Sequence, residues 1–171
     1  DVCSSDLGVV AGVVGIIAAE SGAQVTLVGY DKTDVVPKKA AEFSKRFGKA
    51  FAVGDGSTEA GQRAALADAD LVLVSAKAGI QVLSKEDLKF AKRLKVAADV
   101  NAVPPAGIEG LAPKADGAPL GNGAVGVGAL AIGNIKFRVQ HGLLKRLHDA
   151  EKALFLDFRD AYALARELVS A

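Results

Sequence analysis

The stretch GVVAGVVGIIAAESGAQVTLV, residues 8–28, decides the fold of this chain. A glycine opens an apolar run of helical length, and a second apolar run at residues 24–28 has the length of a buried strand. A turn, a helix and a strand in this order form the second half of a dinucleotide-binding unit. Gly8 fits the second glycine of such a turn, where backbone approaches a pyrophosphate, and Ala11 fits the small third position.

The seven residues ahead of this stretch do not resemble the apolar strand that such a unit needs. They read DVCSSDL, which resembles the translation of a common sequencing-library adapter in one reading frame. We interpret residues 1–7 as a non-native segment and exclude them from fold reasoning. The alternative is a genuine polar N-terminal arm. On our interpretation the first strand is truncated, the first glycine is missing, and residues 8–171 come from the C-terminal part of a longer protein.

Composition excludes several classes of protein. The chain of 171 residues is 50% hydrophobic and 24% charged, as expected of a soluble globular domain. Its 21 Lys and Arg balance 20 Asp and Glu, so we expect no nucleic-acid partner and no membrane. The single cysteine, Cys3, excludes a disulfide framework and favours the cytoplasm. His141 and His148 lack a metal-ligand pattern, so we expect no metal.

Short apolar strands and helices alternate beyond residue 28. We predict strands at residues 50–53, 70–74, 94–98 and 124–127. We predict helices at residues 34–47, from Ser57 or Thr58 to 66, from a Ser84–Asp87 capping box onward, at 128–150 and at 157–169, with a turn-rich crossing at 117–123. The pattern predicts an α/β fold, a Rossmann-like doubly wound and mainly parallel sheet with helices on both faces.

The second strand ends where such domains usually offer a carboxylate to the adenosine ribose. Here that position is Gly29, followed by Tyr30, Asp31 and Lys32. Because a glycine removes the charge that would repel a 2′-phosphate, and Lys32 or Lys38 adds positive charge, NADP is favoured. Asp31 keeps NAD open. The alternative is that these are solvated loop charges.

Two further segments follow strands at the edge where open sheets bind ligands. Ser75 and Ala76 follow one strand, and Asn101 follows the next, in front of Pro104 and Pro105. An amide and exposed carbonyls suit a nicotinamide carboxamide or a pterin edge. The alternative is a rigid Pro-Pro turn that Asn101 caps.

Two longer motifs resemble those of one particular protein family. ADVNAVPPAGIEG at residues 98–110 and GVGALAIGNIK at residues 126–136 resemble the NAD(P)-dependent methylene-tetrahydromethanopterin dehydrogenases of methylotrophic bacteria. The similarity runs from Gly8 to the C-terminus with the motifs in order. It implies hydride transfer from the methylene carbon of tetrahydromethanopterin, a pterin one-carbon carrier, to nicotinamide C4, which leaves the methenyl form. It also implies an upstream substrate domain of roughly a hundred residues and a homo-oligomer.

The resemblance also implies roles for individual residues. The pyrophosphate would face Gly8, Val9, Val10 and Ala11; the adenosine ribose would face Gly29, Tyr30, Asp31 and Lys32; the nicotinamide would face Ser75, Ala76 and Asn101. Lys136 matches a family lysine in the catalytic cleft, where an ammonium could orient the pterin. The alternative is a surface lysine four residues before Gln140. Tyr30 departs from the family, since relatives often carry arginine there, which weakens the preference for NADP.

Two rival functions are open at this point. A methylene-tetrahydrofolate dehydrogenase would differ in the pterin carrier. A non-catalytic nucleotide-binding module would bind the cofactor without chemistry, and we expect the isolated fragment to be inactive because half of the cleft is missing.

Overall fold

The computed structural model describes residues 2–5 by their backbone, and residues 8–30 and 34–170 with their side chains. Seven strands and six helices are assigned in these residues: β1 (Val2–Ser5), α1 (Val9–Glu20), β2 (Val25–Gly29), α2 (Val35–Phe47), β3 (Ala52–Asp55), α3 (Glu59–Ala67), β4 (Leu71–Val74), α4 (Lys85–Leu88), β5 (Val96–Asp99), β6 (Asp116–Gly121), β7 (Ala124–Val127), α5 (Ala129–His148) and α6 (Phe158–Ser170).

The strands form one sheet in the order β3-β2-β1-β4-β5-β7-β6. Every neighbouring pair is parallel except the last, in which β6 runs antiparallel to β7. This is the doubly wound order 3-2-1-4-5-6, with β7 in the sixth place and β6 added at the edge. The prediction of a Rossmann-like, mainly parallel sheet is confirmed.

Two apolar clusters show that helices cover both faces of the sheet. On one face Val25 and Leu27 of β2 pack with Ala19 of α1 and with Val36 and Ala40 of α2. The other cluster joins the next residue of β2, Val28, to β4, α3 and α4 through Val72, Val74, Leu66 and Leu88. The alternation along β2 follows from the two-residue period of a strand.

The C-terminal helices lie on the α1 side of the sheet. Arg159 at the start of α6 donates two hydrogen bonds to Glu20 at the end of α1, at 2.6 and 3.3 Å. Gly142 of α5 allows close approach of α6, because a Cβ atom there would lie 2.7 Å from Leu164 Cδ2. α5 and α6 therefore pack against each other, and α6 also contacts α1.

Residues 2–5 form a strand where we expected none. β1 pairs in parallel with β2 and with β4, Val2 lying opposite Val25 on one side and Leu71 on the other. Pairing uses backbone N–H and C=O groups, so an extended segment of this polar sequence can still pair with the two apolar strands beside it. The foreign origin of residues 1–7 stays a prediction, since backbone pairing carries no information about origin.

The predicted turn-rich crossing at residues 117–123 was wrong. Residues 116–121 form β6, and Asn122 and Gly123 connect it to β7 with φ values of 51° and 78°. Two consecutive residues with positive φ are typical of the tight hairpin turn that Asn-Gly favours. The predicted strand at 124–127 is confirmed with the same bounds as β7.

Local signals placed several helix ends correctly. Gly48 ends α2 in the left-handed conformation, with φ 64°, as expected of a C-terminal glycine. Thr58 caps α3 by accepting a hydrogen bond from the Gly61 N–H at 3.1 Å. Ser84 and Asp87 form the predicted capping box at the start of α4. Asp34 stands at the N-cap of α2 without a side-chain cap hydrogen bond.

Candidate functional site

The carboxyl ends of the central parallel strands meet along one edge of the sheet. Register places Ser5 of β1 between Val28 of β2 and Val74 of β4, and Val74 opposite Asp99 of β5. The segments that follow these strands therefore share this edge, which spans about 14 Å from β2 to β5 at about 4.8 Å per strand. We call it the carboxyl edge.

The N-terminus of α1 lies at the centre of this edge. Gly8 is the N-cap residue, with φ −69° and ψ 174°, and it offers no side chain to cap the helix. Val9 and Val10 are 84% and 49% exposed, while Ala11 is fully buried as the small third position requires. A Cβ atom on Gly8 would meet nothing within 4 Å. Among the described residues, nothing thus crowds Gly8 at the positive end of the helix dipole, where the first-turn N–H groups could bind an anion.

The predicted adenosine side lies at the ends of β2 and β3. Gly29 lies opposite Asp55 in register, and its carbonyl accepts a hydrogen bond from the Gly56 N–H at 2.9 Å. Tyr30 packs against the core and lines a narrow cavity with Gly56. The predicted contacts of Asp31 and Lys32 lie outside the described residues.

An exposed carboxylate on this side was not predicted. Asp55 Oδ1 accepts hydrogen bonds from the Ser57 hydroxyl at 2.6 Å and from the Ser57 N–H at 2.9 Å. These bonds, the hydroxyl first, lower the pKa of Asp55 below its ordinary value, because they favour the charged form. A negative charge therefore stands on β3, beside the position at the end of β2 where Gly29 carries none.

The predicted nicotinamide side is formed by the segments after β4 and β5. Ser75 and Ala76 are half-buried, and Ala76 packs against the core. A Cβ atom on Gly79, where φ is 79°, would lie 3.8 Å from the Pro104 carbonyl oxygen. The two segments therefore adjoin at the edge.

Asn101 is buried and its amide shapes the loop that follows β5. Its Oδ1 accepts from the Val103 N–H at 2.9 Å, and its Nδ2 donates to the Pro105 carbonyl at 3.2 Å. The loop contains a cis peptide bond between Pro104 and Pro105. Asn101 therefore caps the Pro-Pro turn, as the alternative interpretation predicted. The nicotinamide contact of Asn101 stays a prediction.

Sequence reasoning missed Asp99, which ends β5 and is 2% exposed. Its carboxylate accepts three backbone hydrogen bonds, from Asn101 at 2.8 Å, Gly107 at 2.7 Å and Ile108 at 3.3 Å. A Cβ atom on Gly107 would lie 2.7 Å from Val74 Cγ1 and 3.0 and 3.1 Å from the two Asp99 oxygens. Its position could have identified Asp99 as a site residue, because it is the acidic residue at the end of a strand inside the longest family motif.

Lys136 lies apart from the carboxyl edge. It is exposed in the second turn of α5, about 10 Å of helical rise beyond the helix start. It lines an open apolar groove of about 790 Å³ with Val13 and Ile17 of α1 and Tyr162 of α6. Its catalytic role stays a prediction.

The described residues hold neither a metal-binding cluster nor a membrane-spanning helix. Within residues 8–30 and 34–170, no three His, Cys, Asp or Glu side chains lie together in a group that could hold a metal ion. None of the helices in the described part of the chain combines the length and apolar character that crossing a bilayer requires.

Comparison with known proteins gives sequence relatives. No family model matches the chain. Over 162 residues, 94% of its length, the chain is 47% identical to the NAD(P)-dependent methylenetetrahydromethanopterin dehydrogenase of Methylorubrum extorquens. It is 29% identical over 147 residues, 86% of its length, to the Bifunctional protein MdtA of the same organism. The matches cover 54% and 50% of these proteins, so the chain spans about half the length of both relatives.

Solved structures agree with the fold. An L-alanine dehydrogenase superposes on 87% of this chain with a TM-score of 0.56 and 18% identity, covering 44% of that protein. A transhydrogenase from Sinorhizobium meliloti superposes on 85% with a TM-score of 0.51 and 17% identity, covering 45% of its chain. At such identities the likeness concerns the fold alone.

The resemblance predicted from the two long motifs is confirmed by the sequence relatives. Over nearly its whole length, this chain is a relative of the NAD(P)-dependent methylenetetrahydromethanopterin dehydrogenases.

Proposed function

We propose that this chain is the cofactor domain of an NAD(P)-dependent methylene-tetrahydromethanopterin dehydrogenase. The enzyme would move a hydride from the methylene carbon of the pterin carrier to the nicotinamide and leave the methenyl form. The observation that carries the proposal is 47% identity to the dehydrogenase of that name over 94% of the chain. The geometry of the carboxyl edge supports it, because a helix N-terminus that begins at a glycine lies where a pyrophosphate would bind.

The described residues fit a dinucleotide along this edge. The first-turn N–H groups of α1 would hold the pyrophosphate, with Gly8 leaving the space in front of them open. Gly29 and Tyr30 would face the adenosine ribose, and Ser75, Ala76 and Asn101 the nicotinamide. When bound, the cofactor supplies the hydride acceptor, and the chain supplies position and electrostatics.

The proposed role of Lys136 requires the pterin to bind close to α5. We propose that its ammonium orients the carrier from the groove beside α1 and α6, which is apolar enough to receive a ring system. In the described part of the chain Lys136 forms no ion pair or hydrogen bond, so its charge is available.

We propose that an upstream substrate domain completes the cleft, consistent with relatives about twice the length of this chain. We further propose a homo-oligomer in the cytoplasm. Exposed apolar side chains support assembly: Phe137, Leu144 and Phe155 are 69%, 66% and 89% exposed. A monomeric mass by light scattering of the complete polypeptide would contradict it.

Enzyme assays of the complete polypeptide test the function. With NAD⁺ and NADP⁺ as acceptors, we expect the tetrahydromethanopterin form of the methylene carrier to be oxidised. Activity with the tetrahydrofolate form alone would replace the proposal by its closest rival. Nucleotide binding without oxidation of either carrier would favour a non-catalytic nucleotide-binding module.

A further inference from the structure

We propose that Asp99 is a positioning residue for hydride transfer, one that sets where the nicotinamide side of the carboxyl edge lies. The inference rests on the proposed function. Asp99 has no part in the cofactor contacts proposed above. Its buried carboxylate accepts hydrogen bonds from backbone N–H groups.

Asp99 fixes both ends of the loop after β5. Its Oδ1 holds the N–H of Asn101, where the loop leaves the strand, and its Oδ2 holds the N–H groups of Gly107 and Ile108, where the loop returns. Between these points residues 102–105 are exposed. The carboxylate therefore closes the base of a loop whose tip is exposed on the ligand side of the sheet.

The same contacts connect the loop to the segment after β4. The Gly107 carbonyl accepts from the N–H groups of Val82 and Leu83 at 2.8 and 3.0 Å. At the start of the loop, the Val100 N–H donates to the Val74 carbonyl at 3.1 Å. One carboxylate thus orients the peptide unit that joins the two segments predicted to face the nicotinamide.

An amide cannot replace this carboxylate. Three N–H donors converge on two acceptor oxygens, and Asn in place of Asp turns one oxygen into an NH₂ group that meets a donor. The side chain keeps its volume, so the change acts on hydrogen bonding and loop position rather than on packing. Catalysis is sensitive to such shifts because hydride transfer needs close alignment of donor and acceptor carbons.

The test compares Asp99→Asn in the complete polypeptide with the exposed control Asp149→Asn. We expect kcat of Asp99→Asn to fall by about 100-fold, the cost of an ångström-scale misplacement. ADP, the probe for the adenosine and pyrophosphate side of the edge, should bind with unchanged affinity, because β1 and β4 lie between β2 and β5 in the sheet. The Asp149→Asn control should match the wild type in both measurements.

A second variant disturbs the same loop and keeps the Asp99 carboxylate. Gly107→Ala places a methyl group against Val74 and both Asp99 oxygens, and should give the same split between kcat and ADP affinity. Wild-type kcat in Asp99→Asn would overturn the inference and leave the proposed function intact. Loss of ADP binding in both variants, in proportion to kcat, would assign Asp99 to the fold in general and also overturn it. A wild type that binds neither NAD⁺ nor NADP⁺ would overturn the proposed function and this inference together.

Discussion

At the scale of single residues, glycines of the carboxyl edge meet two different needs. Gly8 has nothing within 4 Å of a Cβ position, so its value lies in the open space in front of α1. A Cβ atom on Gly56 would lie 2.7 Å from the Gly29 carbonyl oxygen, so its value lies in the close approach of two backbones. The first glycine leaves room for a ligand, while the second holds β3 against β2 where the adenosine side begins.

A pair of glycine substitutions separates close packing from helix propensity. Gly56→Ala should lower the free energy of unfolding by about 1 to 3 kcal/mol, since the backbone of Gly29 must move. Gly133→Ala, inside α5 with nothing within 4 Å, should raise it by about 0.5 to 1 kcal/mol, because alanine loses less backbone entropy in a helix. Urea denaturation measures both. Changes of the same sign in the free energy of unfolding of the two variants would contradict this prediction.

At the scale of elements, the start of α4 depends on a reciprocal pair of hydrogen bonds between Ser84 and Asp87. The Ser84 hydroxyl accepts from the Asp87 N–H at 3.1 Å, and the Asp87 carboxylate accepts from the Ser84 N–H at 2.9 Å. Asp87 is buried, so its carboxylate depends on the Ser84 donors and on the Arg63 guanidinium, whose Nε lies 3.5 Å from Asp87 Oδ1. The four-residue helix α4 is too short to be stable on local propensity alone, which makes the capping box important.

Removing the cap should therefore be measurable. Ser84→Ala should lower the free energy of unfolding by about 1 to 2 kcal/mol, because the Asp87 N–H and the Asp87 carboxylate each lose the Ser84 hydroxyl as a partner. Ser84→Thr keeps the hydroxyl and should stay within about 0.5 kcal/mol of the wild type. Chemical denaturation of the three proteins decides; an alanine variant as stable as the threonine variant would show that the cap contributes nothing.

Elements with local signals were predictable, and those that depend on distant contacts were not. Gly48 and the Ser84–Asp87 box identified helix ends because the relevant partners lie within a few residues. β6 also has a local signal, since Asn-Gly favours a tight hairpin turn, but our prediction assigned Asn122 and Gly123 to a crossing. Asp99 was missed as a site residue because two of its three donors lie eight and nine residues away, across a loop whose path no local rule predicts.

At the scale of the whole molecule, the parallel strands bring the predicted contacts of Gly8, Gly29, Ser75 and Asn101 to one edge, and Lys136 lies apart. The edge residues follow from strand order, since ligands of doubly wound sheets bind where the carboxyl ends meet. Lys136 instead lines the groove between α1, α5 and α6. Its proposed role therefore depends on how the rest of a longer protein presents the pterin.

Hydrogen exchange of the complete polypeptide, with and without NAD⁺ or NADP⁺, tests most directly whether the dinucleotide lies along the carboxyl edge. We predict slower exchange in peptides that contain Gly8–Gly12, Gly29–Tyr30, Ser75–Gly79 and Asn101–Ile108, because a bound ligand shields and orders these amides. Peptides from α4 should exchange unchanged. Protection confined to α4 and the β6–β7 hairpin, or no protection by either nucleotide at saturating concentration, would contradict the account.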